Sequence, residues 1–303
     1  VDIELAMVPT EAAPTLEVVD LEQAAQDIKS AGLGFGADVV GIARAEDWDE
    51  FVPEGYRPYD LLPGARSVVV VGARGPSAGA WRSPNPRVME VLGLDFANDR
   101  AIAALTGHIE REYSHYAIQA PGLSVSGHKP PFSYMLAAVL AGLGTRSLAA
   151  NIVLNPRYGL LYYSACITTL DLPGDPRLEQ DVCPHPMCVQ TYRHVGRTPC
   201  IAVCPSEEGG CLDGAIDEQG RISEAYYDRE RCASRAMNFG PLALQKVLAD
   251  LVTEEFPEIQ ESKGLSDFTA RACSGVSFYK ESVAQCFECM RVCPIGRQER
   301  KLK

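Results

Sequence analysis

No run of apolar residues in this chain of 303 approaches the roughly 20 that a membrane-crossing helix needs. The longest, Leu136-Ala-Ala-Val-Leu-Ala, is broken by Gly142 and Gly144, so no membrane span is expected. Positive charge is also scarce: 28 Lys and Arg face 40 Asp and Glu, for a net charge of −12. Binders of polyanions concentrate Lys and Arg on one face, and the only basic cluster here is the tail Arg297-Gln-Glu-Arg-Lys-Leu-Lys303, which reads as a solvated terminus. There is no Walker loop. Glycines at positions 32, 34, 36, 142 and 144 follow helical stretches, whereas a dinucleotide fingerprint follows a strand and opens a helix; they read as helix C-caps. No signal peptide is present. The chain begins at Val1 rather than Met, which is compatible with a removed leader, and a cytoplasmic location is expected. Cysteine is nearly missing from the first half: only Cys166 precedes residue 170.

The other ten of the 11 cysteines lie between Cys183 and Cys293. A secreted disulfide scaffold would scatter them through a short chain, so clustering at one end of a long one argues for metal. Two segments end alike, Cys200-Ile-Ala-Val-Cys204-Pro205 and Cys286-Phe-Glu-Cys289-Met-Arg-Val-Cys293-Pro294. Paired Cys-x3-Cys-Pro endings mark proteins that wrap two [4Fe–4S] clusters, each motif lending its last thiolate to the other cluster. Zinc is the main competitor, but zinc ribbons do not require that ending.

Spacing then proposes the ligands. Cys183, Cys188, Cys200 and Cys293 would hold one cluster, and Cys204, Cys232, Cys286 and Cys289 the other. The first motif is stretched, with four residues between Cys183 and Cys188 and eleven between Cys188 and Cys200, so Cys211 stands as an alternative to Cys183. Cys166 and Cys273 read as plain thiols, Cys166 buried. His185 and His194 flank the first motif and are assigned solvent-side or hydrogen-bonding roles.

Periodicity organises the rest. Helical spacing runs from Leu21 to Ala31, from about Asp99 to Tyr116 and from Tyr134 to Leu140; apolar runs suited to strands cover 37–44, 67–72 and about 160–168. Such alternation predicts a domain that buries a sheet, α/β or α+β. The segment Leu172-Pro-Gly-Asp-Pro176 reads as a hinge. Beyond it the chain is short on strands, with helices expected near 226–236 and 241–253. The division expected is an N-terminal arm over 1–17, an α/β domain over 18–175 and a cysteine domain over 176–303.

The order of several segments resembles the epoxyqueuosine reductase and reductive dehalogenase superfamily. Those segments are Gly36-Ala-Asp-Val-Val-Gly-Ile-Ala43, Leu62-Pro-Gly-Ala-Arg-Ser-Val-Val-Val70, Gly142-Leu-Gly144 with Asn155-Pro-Arg-Tyr-Gly159, and the lone Cys232 ahead of the second motif. The resemblance covers most of residues 20–296. It implies an α+β architecture in which a nitroreductase-like α/β cobalamin-binding domain precedes a ferredoxin-like two-cluster domain. It also implies that Asn155, Arg157 and Tyr158 line the corrin and that the clusters deliver electrons one at a time to make Co(I). The chain lacks an Asp-x-His-x-x-Gly segment, so an imidazole lower ligand is not expected.

Such chemistry needs a proton donor. Epoxyqueuosine reductases place an Asp shortly before the Gly-Leu-Gly helix and the dehalogenases use a Tyr; here Gly127-His128-Lys129-Pro-Pro-Phe-Ser133-Tyr134 occupies the region, with no Asp. His128 titrates near neutrality and is the first candidate, with Lys129 as electrostatic partner and Tyr134 as the alternative. Tyr113, His115 and Tyr116 come after these. The chain stops seven residues after Gly296, without the helical repeats that contribute to tRNA binding. With its acidic charge, this sets the expectation of no nucleic-acid partner and a small organic substrate, carbon–halogen cleavage being the leading example. A ferredoxin or flavodoxin would serve as electron donor. The alternative is an iron–sulfur electron-transfer protein that reduces the corrinoid of a partner enzyme.

Overall fold

The computed structural model of the chain describes residues 20–83, 97–122, 131–149, 152–204, 210–228 and 288–301. Helix α1 (Leu21–Gly34) opens where the Asp20 carboxylate accepts the Glu22 and Gln23 amides at 3.1 and 3.2 Å, a side-chain cap for otherwise unpaired donors. Strand β1 (Val39–Arg44) follows, then α2 (Pro58–Leu61), β2 (Ser67–Ala73), α3 (Ala78–Arg82), α4 (Ala97–Tyr113), β3 (Ala117–Gln119) and α5 (Tyr134–Leu140). Short strands β4 (Thr145–Arg146), β5 (Val153–Asn155) and β6 (Gly159–Leu160) precede the long β7 (Tyr162–Thr168). The cysteine region holds α6 (Pro186–Val195), α7 (Pro199–Ala202), the strands β8 (Leu212–Ile216) and β9 (Ile222–Tyr227), and α8 (Glu288–Val292).

The main sheet has the order β1-β2-β7-β3, and every neighbouring pair is antiparallel. Antiparallel sheets commonly leave one face to water and alternate apolar with polar residues. This one is covered on both faces, which is why β2 carries four consecutive valines, Val68 to Val71, all fully buried. Val69 and Val71 pack with Ile28 of α1 and Ile102, Leu105 and Ile109 of α4. Val68 and Val70 pack on the opposite face with Leu140 of α5, Trp48 and Phe132. The absence of any parallel pairing among the described strands makes the domain α+β rather than a βαβ fold.

Four sequence expectations change. The run expected around 160–168 is two strands: Gly159–Leu160 pairs with β5, and Tyr162–Thr168 enters the main sheet between β2 and β3. The helix expected from Tyr226 does not begin there, because Tyr226 and Tyr227 close the β8–β9 pairing against Asp213 and Leu212; the rest of that stretch, the 241–253 helix and the 1–17 arm lie outside the described residues. The hinge is no hinge. The Asp175 amide donates to the Ile42 carbonyl at 2.7 Å, its Oδ2 accepts the Ile42 amide at 2.8 Å, and its Oδ1 pairs with Lys29 Nζ at 2.5 Å. One residue thus satisfies both backbone groups on the open edge of β1. Gly36 and Gly142 do end helices, while Gly32 and Gly34 lie inside α1.

Candidate functional site

The cysteine region packs around a second core, in which Leu148 and, from the short sheet, Leu154 and Leu160 meet Ile201, Leu212, Met290 and Ile295. Cys183, Cys204, Cys289 and Cys293 are buried in this core and Cys200 packs against it. Helix α6 begins at a cap in which His185 Nδ1 accepts the Met187 amide at 3.2 Å, and this turn carries Cys188 inward. His194 is exposed at the other end. Helix α7 brings Cys200, and α8, which carries Cys289, packs against α7.

Four thiols from separate stretches of chain sense one another. Burial pushes Cys183 up to about 12, and Cys200, Cys293 and Cys188 add to the shift. Burial pushes Cys188 up to about 11, with Cys293 and Cys200 contributing. Cys200 and Cys293 are raised by burial as well. Buried thiols resist ionisation until a cation stands among them, and metal binding then releases their protons. Among the described residues, no three His, Cys, Asp or Glu side chains lie close enough to share a single metal ion.

Cys211 lies beside Cys204, the last thiol of the first motif: its Sγ is 3.4 Å from Cys204 Sγ, and its amide donates to Cys204 Sγ at 3.1 Å. Cys232, Cys286 and Cys273 fall outside the described residues, as do His128 and Lys129. Cys166 is fully buried on β7, as expected, and burial pushes its thiol up to about 12.

Tyr134 is the one first-rank proton-donor candidate within the described residues. Ser133 caps α5 by accepting the Leu136 amide, which fixes the first turn. The Tyr134 hydroxyl donates to the Ala120 carbonyl at 2.6 Å. Burial raises its pKa, and the Asp99 carboxylate raises it further. Nearby, Ser164 Oγ donates to Asp99 at 2.6 Å and accepts from Asn98 Nδ2 at 2.8 Å. Of the remaining candidates, Tyr113 meets His108 edge-on, His115 Nδ1 lies 3.2 Å from Thr169 Oγ1, and Tyr116 is exposed.

The Asn155 side chain is engaged in the turn itself. Its Nδ2 donates to the Leu143 carbonyl at 2.7 Å and its Oδ1 accepts the Arg157 and Tyr158 amides at 3.0 Å, an Asx-type turn. It shapes the loop from within a buried position. Arg157 is exposed, pairs with Glu299 at 3.3 Å, and stacks on Tyr158, whose ring Arg74 also approaches. Beside this turn, Pro156 and the segment Pro176–Val182 line an open cleft of about 560 Å³, within the range of small-molecule sites. The Val182 amide donates to Thr145 Oγ1 at 2.8 Å and pins the far end of that segment.

Sequence reasoning missed Arg300. It is not part of a solvated tail: its guanidinium donates to the carbonyls of Met290 at 2.6 Å and Ile295 at 2.8 Å, reaches that of Cys293 at 3.4 Å, and lies 4.4 Å over the Trp81 ring. Nothing in the charge pattern of 297–303 distinguishes it from its neighbours, and only the turn after Cys293 brings it back.

This arrangement, an antiparallel sheet between helices joined to a compact cysteine core, has the fold of epoxyqueuosine reductases and reductive dehalogenases. An epoxyqueuosine reductase with an epoxyqueuosine-modified tRNA-Tyr stem loop is similar at a TM-score of 0.52 and 17% identity, over 93% of this chain and 67% of that one. The enzyme from Bacillus subtilis is similar at 0.53 and 16%, over 91% and 66%. A catabolic reductive dehalogenase in complex with 3-bromo-4-hydroxybenzoic acid is similar at 0.51 and 20%, over 73% of this chain and 30% of that one. The chain thus spans about two thirds of the reductases and under a third of the dehalogenase. No protein-family model and no curated protein sequence matches it.

One expectation is overturned here. Nucleic acid was excluded as a partner on acidic charge and on the missing repeats, yet a structure sharing the fold over 93% of this chain is that of an enzyme with a tRNA stem loop. Net charge averages over the whole surface, whereas a nucleic acid meets one local potential. A charge of −12 therefore excludes nothing about a particular face. Among the described residues no helix is long and apolar enough to cross a membrane.

Proposed function

We propose that the chain is a cobalamin-dependent reductase in which two [4Fe–4S] clusters, held by Cys183, Cys188, Cys200 and Cys293 and by Cys204, Cys232, Cys286 and Cys289, relay single electrons for the reduction of an organic substrate. What carries the reading is that Cys183, Cys200 and Cys293 meet at one core, with Cys188 near enough to influence them, on a fold shared with reductases. The donor set suits iron: all-cysteine, with two Cys-x3-Cys-Pro endings in the sequence, the pattern of proteins that hold two clusters within electron-transfer reach. Leu148, Leu154, Ile201 and Met290 pack around the thiols and would keep water from clusters held there, which favours low-potential chemistry.

When bound, a corrin supplies a strongly reducing cobalt centre. The residues assigned to the corrin, Arg157 and Tyr158, follow Pro156 on the rim of the open cleft, and Asn155 holds their turn. Tyr134 is the described residue assigned to hold the proton, beside the candidates His128 and Lys129: its phenol is protonated at neutral pH, the state a general acid requires, and its hydroxyl is positioned by the Ala120 carbonyl.

The test is anaerobic loading of the full chain with iron, sulfide and cobalamin, then reduction by a low-potential one-electron donor. About one cobalt per chain is expected, with halide release from halogenated phenols or loss of the epoxide from epoxyqueuosine-containing tRNA deciding the substrate class. A chain that holds iron but takes up no cobalt and turns over neither substrate is instead an electron carrier for a partner's corrinoid.

A further inference from the structure

We propose that Arg300 raises the reduction potential of the cluster ligated through Cys293. The inference rests on the cluster reading above, and the fit of the residues is local. Arg300 follows Cys293 by seven positions, and the chain turns back at Gly296 so that the guanidinium caps α8 from the far side. Its three carbonyl contacts, to Met290, Cys293 and Ile295, encircle the Cys293-Pro294 turn. The Trp81 face covers it at 4.4 Å, so the cation is held by stacking and shielded from water on that side.

A second cation, Arg291 on α8, is also partly buried: Nη1 donates to the Ser83 carbonyl at 2.7 Å, Nε lies 3.4 Å from Glu288, and Nη2 has no hydrogen-bond partner. Glu288 offsets the charge of Arg291. Arg300 makes no ion pair among the described residues, and its partners there are neutral carbonyls and an aromatic face.

The redox step is simple. A four-cysteinate cube takes one electron from a low-potential one-electron carrier, takes up no proton, and becomes more negative by one charge. A fixed cation beside one of its thiolates stabilises that added charge, and it does so more strongly in a partly buried setting than in water. The potential of such clusters is set by net charge, hydrogen bonds to sulfur and exposure, and Arg300 acts through the first. It is a positioning and tuning residue that does not touch substrate.

The experiment is an anaerobic redox titration of the iron-loaded full chain, followed by electron paramagnetic resonance, for the parent, Arg300→Gln and Arg300→Lys. In Arg300→Gln the ratio of reduced to oxidised cluster should fall about tenfold for one cluster at fixed potential, a shift of about 59 mV to more negative values for a one-electron couple. The other cluster should not move, and Arg300→Lys should stay near the parent. Loss of one cluster in Arg300→Gln but not in Arg300→Lys also supports a role for the charge. An unmoved potential at full iron content in Arg300→Gln would overturn the inference. So would equal effects of the two variants, which would make the role one of shape. A parent chain that binds no iron would instead sink the cluster reading, and the inference with it.

Discussion

Gly159 and Gly296 meet backbone to backbone. Both adopt positive φ, +70° and +69°, and a Cβ on Gly296 would lie 2.5 Å from the Gly159 nitrogen and 2.0 Å from the Tyr158 carbonyl oxygen. A Cβ on Gly159 would meet the Ile295 carbonyl oxygen at 2.4 Å. The turn that follows the sheet's Asn155 loop and the turn that follows Cys293-Pro294 are therefore fitted to each other, with no space for a side chain on either. This contact ties the Asn155 loop to the turn that carries Cys293.

Replacing Gly296 by Ala forces both a steric clash with backbone and a left-handed conformation that costs a non-glycine residue about 1 to 3 kcal/mol. The expected outcome is displacement of the Cys293 turn. Iron per chain should fall to about half, one cluster of two being lost, while circular dichroism of the α+β sheet domain is retained. Iron analysis of the anaerobically loaded variant checks it, and full iron content would show that the turn does not position Cys293.

Asp175 supports the edge of the sheet. Asp175→Ala removes the acceptor for the Ile42 amide and the partner of Lys29. Hydrogen bonds to charged groups contribute about 1.5 to 3 kcal/mol, so a loss in that range is expected in urea unfolding of the full chain. A change under about 0.5 kcal/mol, the scale of ordinary surface substitutions, would mean that the segment is the free hinge its composition suggests.

Tyr134 offers the clearest mechanistic substitution. Tyr134→Phe keeps the ring in its place against Phe132 and removes only the hydroxyl that donates to Ala120. Loss of a general acid lowers turnover by about 10²- to 10⁴-fold, with iron and cobalt content unchanged. Retained turnover would move the role to His128 or Lys129.

Cys166 should behave as an inert core thiol. Burial pushes its pKa from 9.0 to about 12, so the folded state holds a proton that the unfolded chain releases above its own pKa. The sign follows: this group's contribution to stability is fully present below pH 9 and is lost as pH rises toward 12. Native protein at pH 8 should leave Cys166 unalkylated by iodoacetamide, as read by peptide mass spectrometry, while urea-unfolded protein should be labelled there. Labelling of the native chain would contradict the burial of β7.

Much of this was legible in the chain because short-range chemistry determined it. Helix α5 starts and ends where its spacing predicts, Ser133 and Gly142 marking the two ends, and the valine run of β2 announces a doubly covered strand. What stayed hidden depends on contacts remote in sequence. Leu172-Pro-Gly-Asp-Pro176 has the composition of a linker, and only the meeting of Asp175 with Ile42, 133 positions away, makes it a staple. Asn155 reads as a pocket residue until its amide is seen bonded to Leu143 and to the turn. The β8–β9 pairing was masked by the Gly- and Cys-rich composition around it, although Asp217-Glu-Gln-Gly220 is a turn signal. Arg300 sits in a run of charged residues that differ from it in nothing local.

The most direct test of the account is Mössbauer spectroscopy of the full chain loaded anaerobically with ⁵⁷Fe, alongside iron and zinc analysis. Two cubane clusters, about eight irons per chain with little zinc, are predicted. A chain that takes up about one or two zinc ions and gives no cubane signal would contradict the central claim, and the cysteine core would then be a structural zinc site.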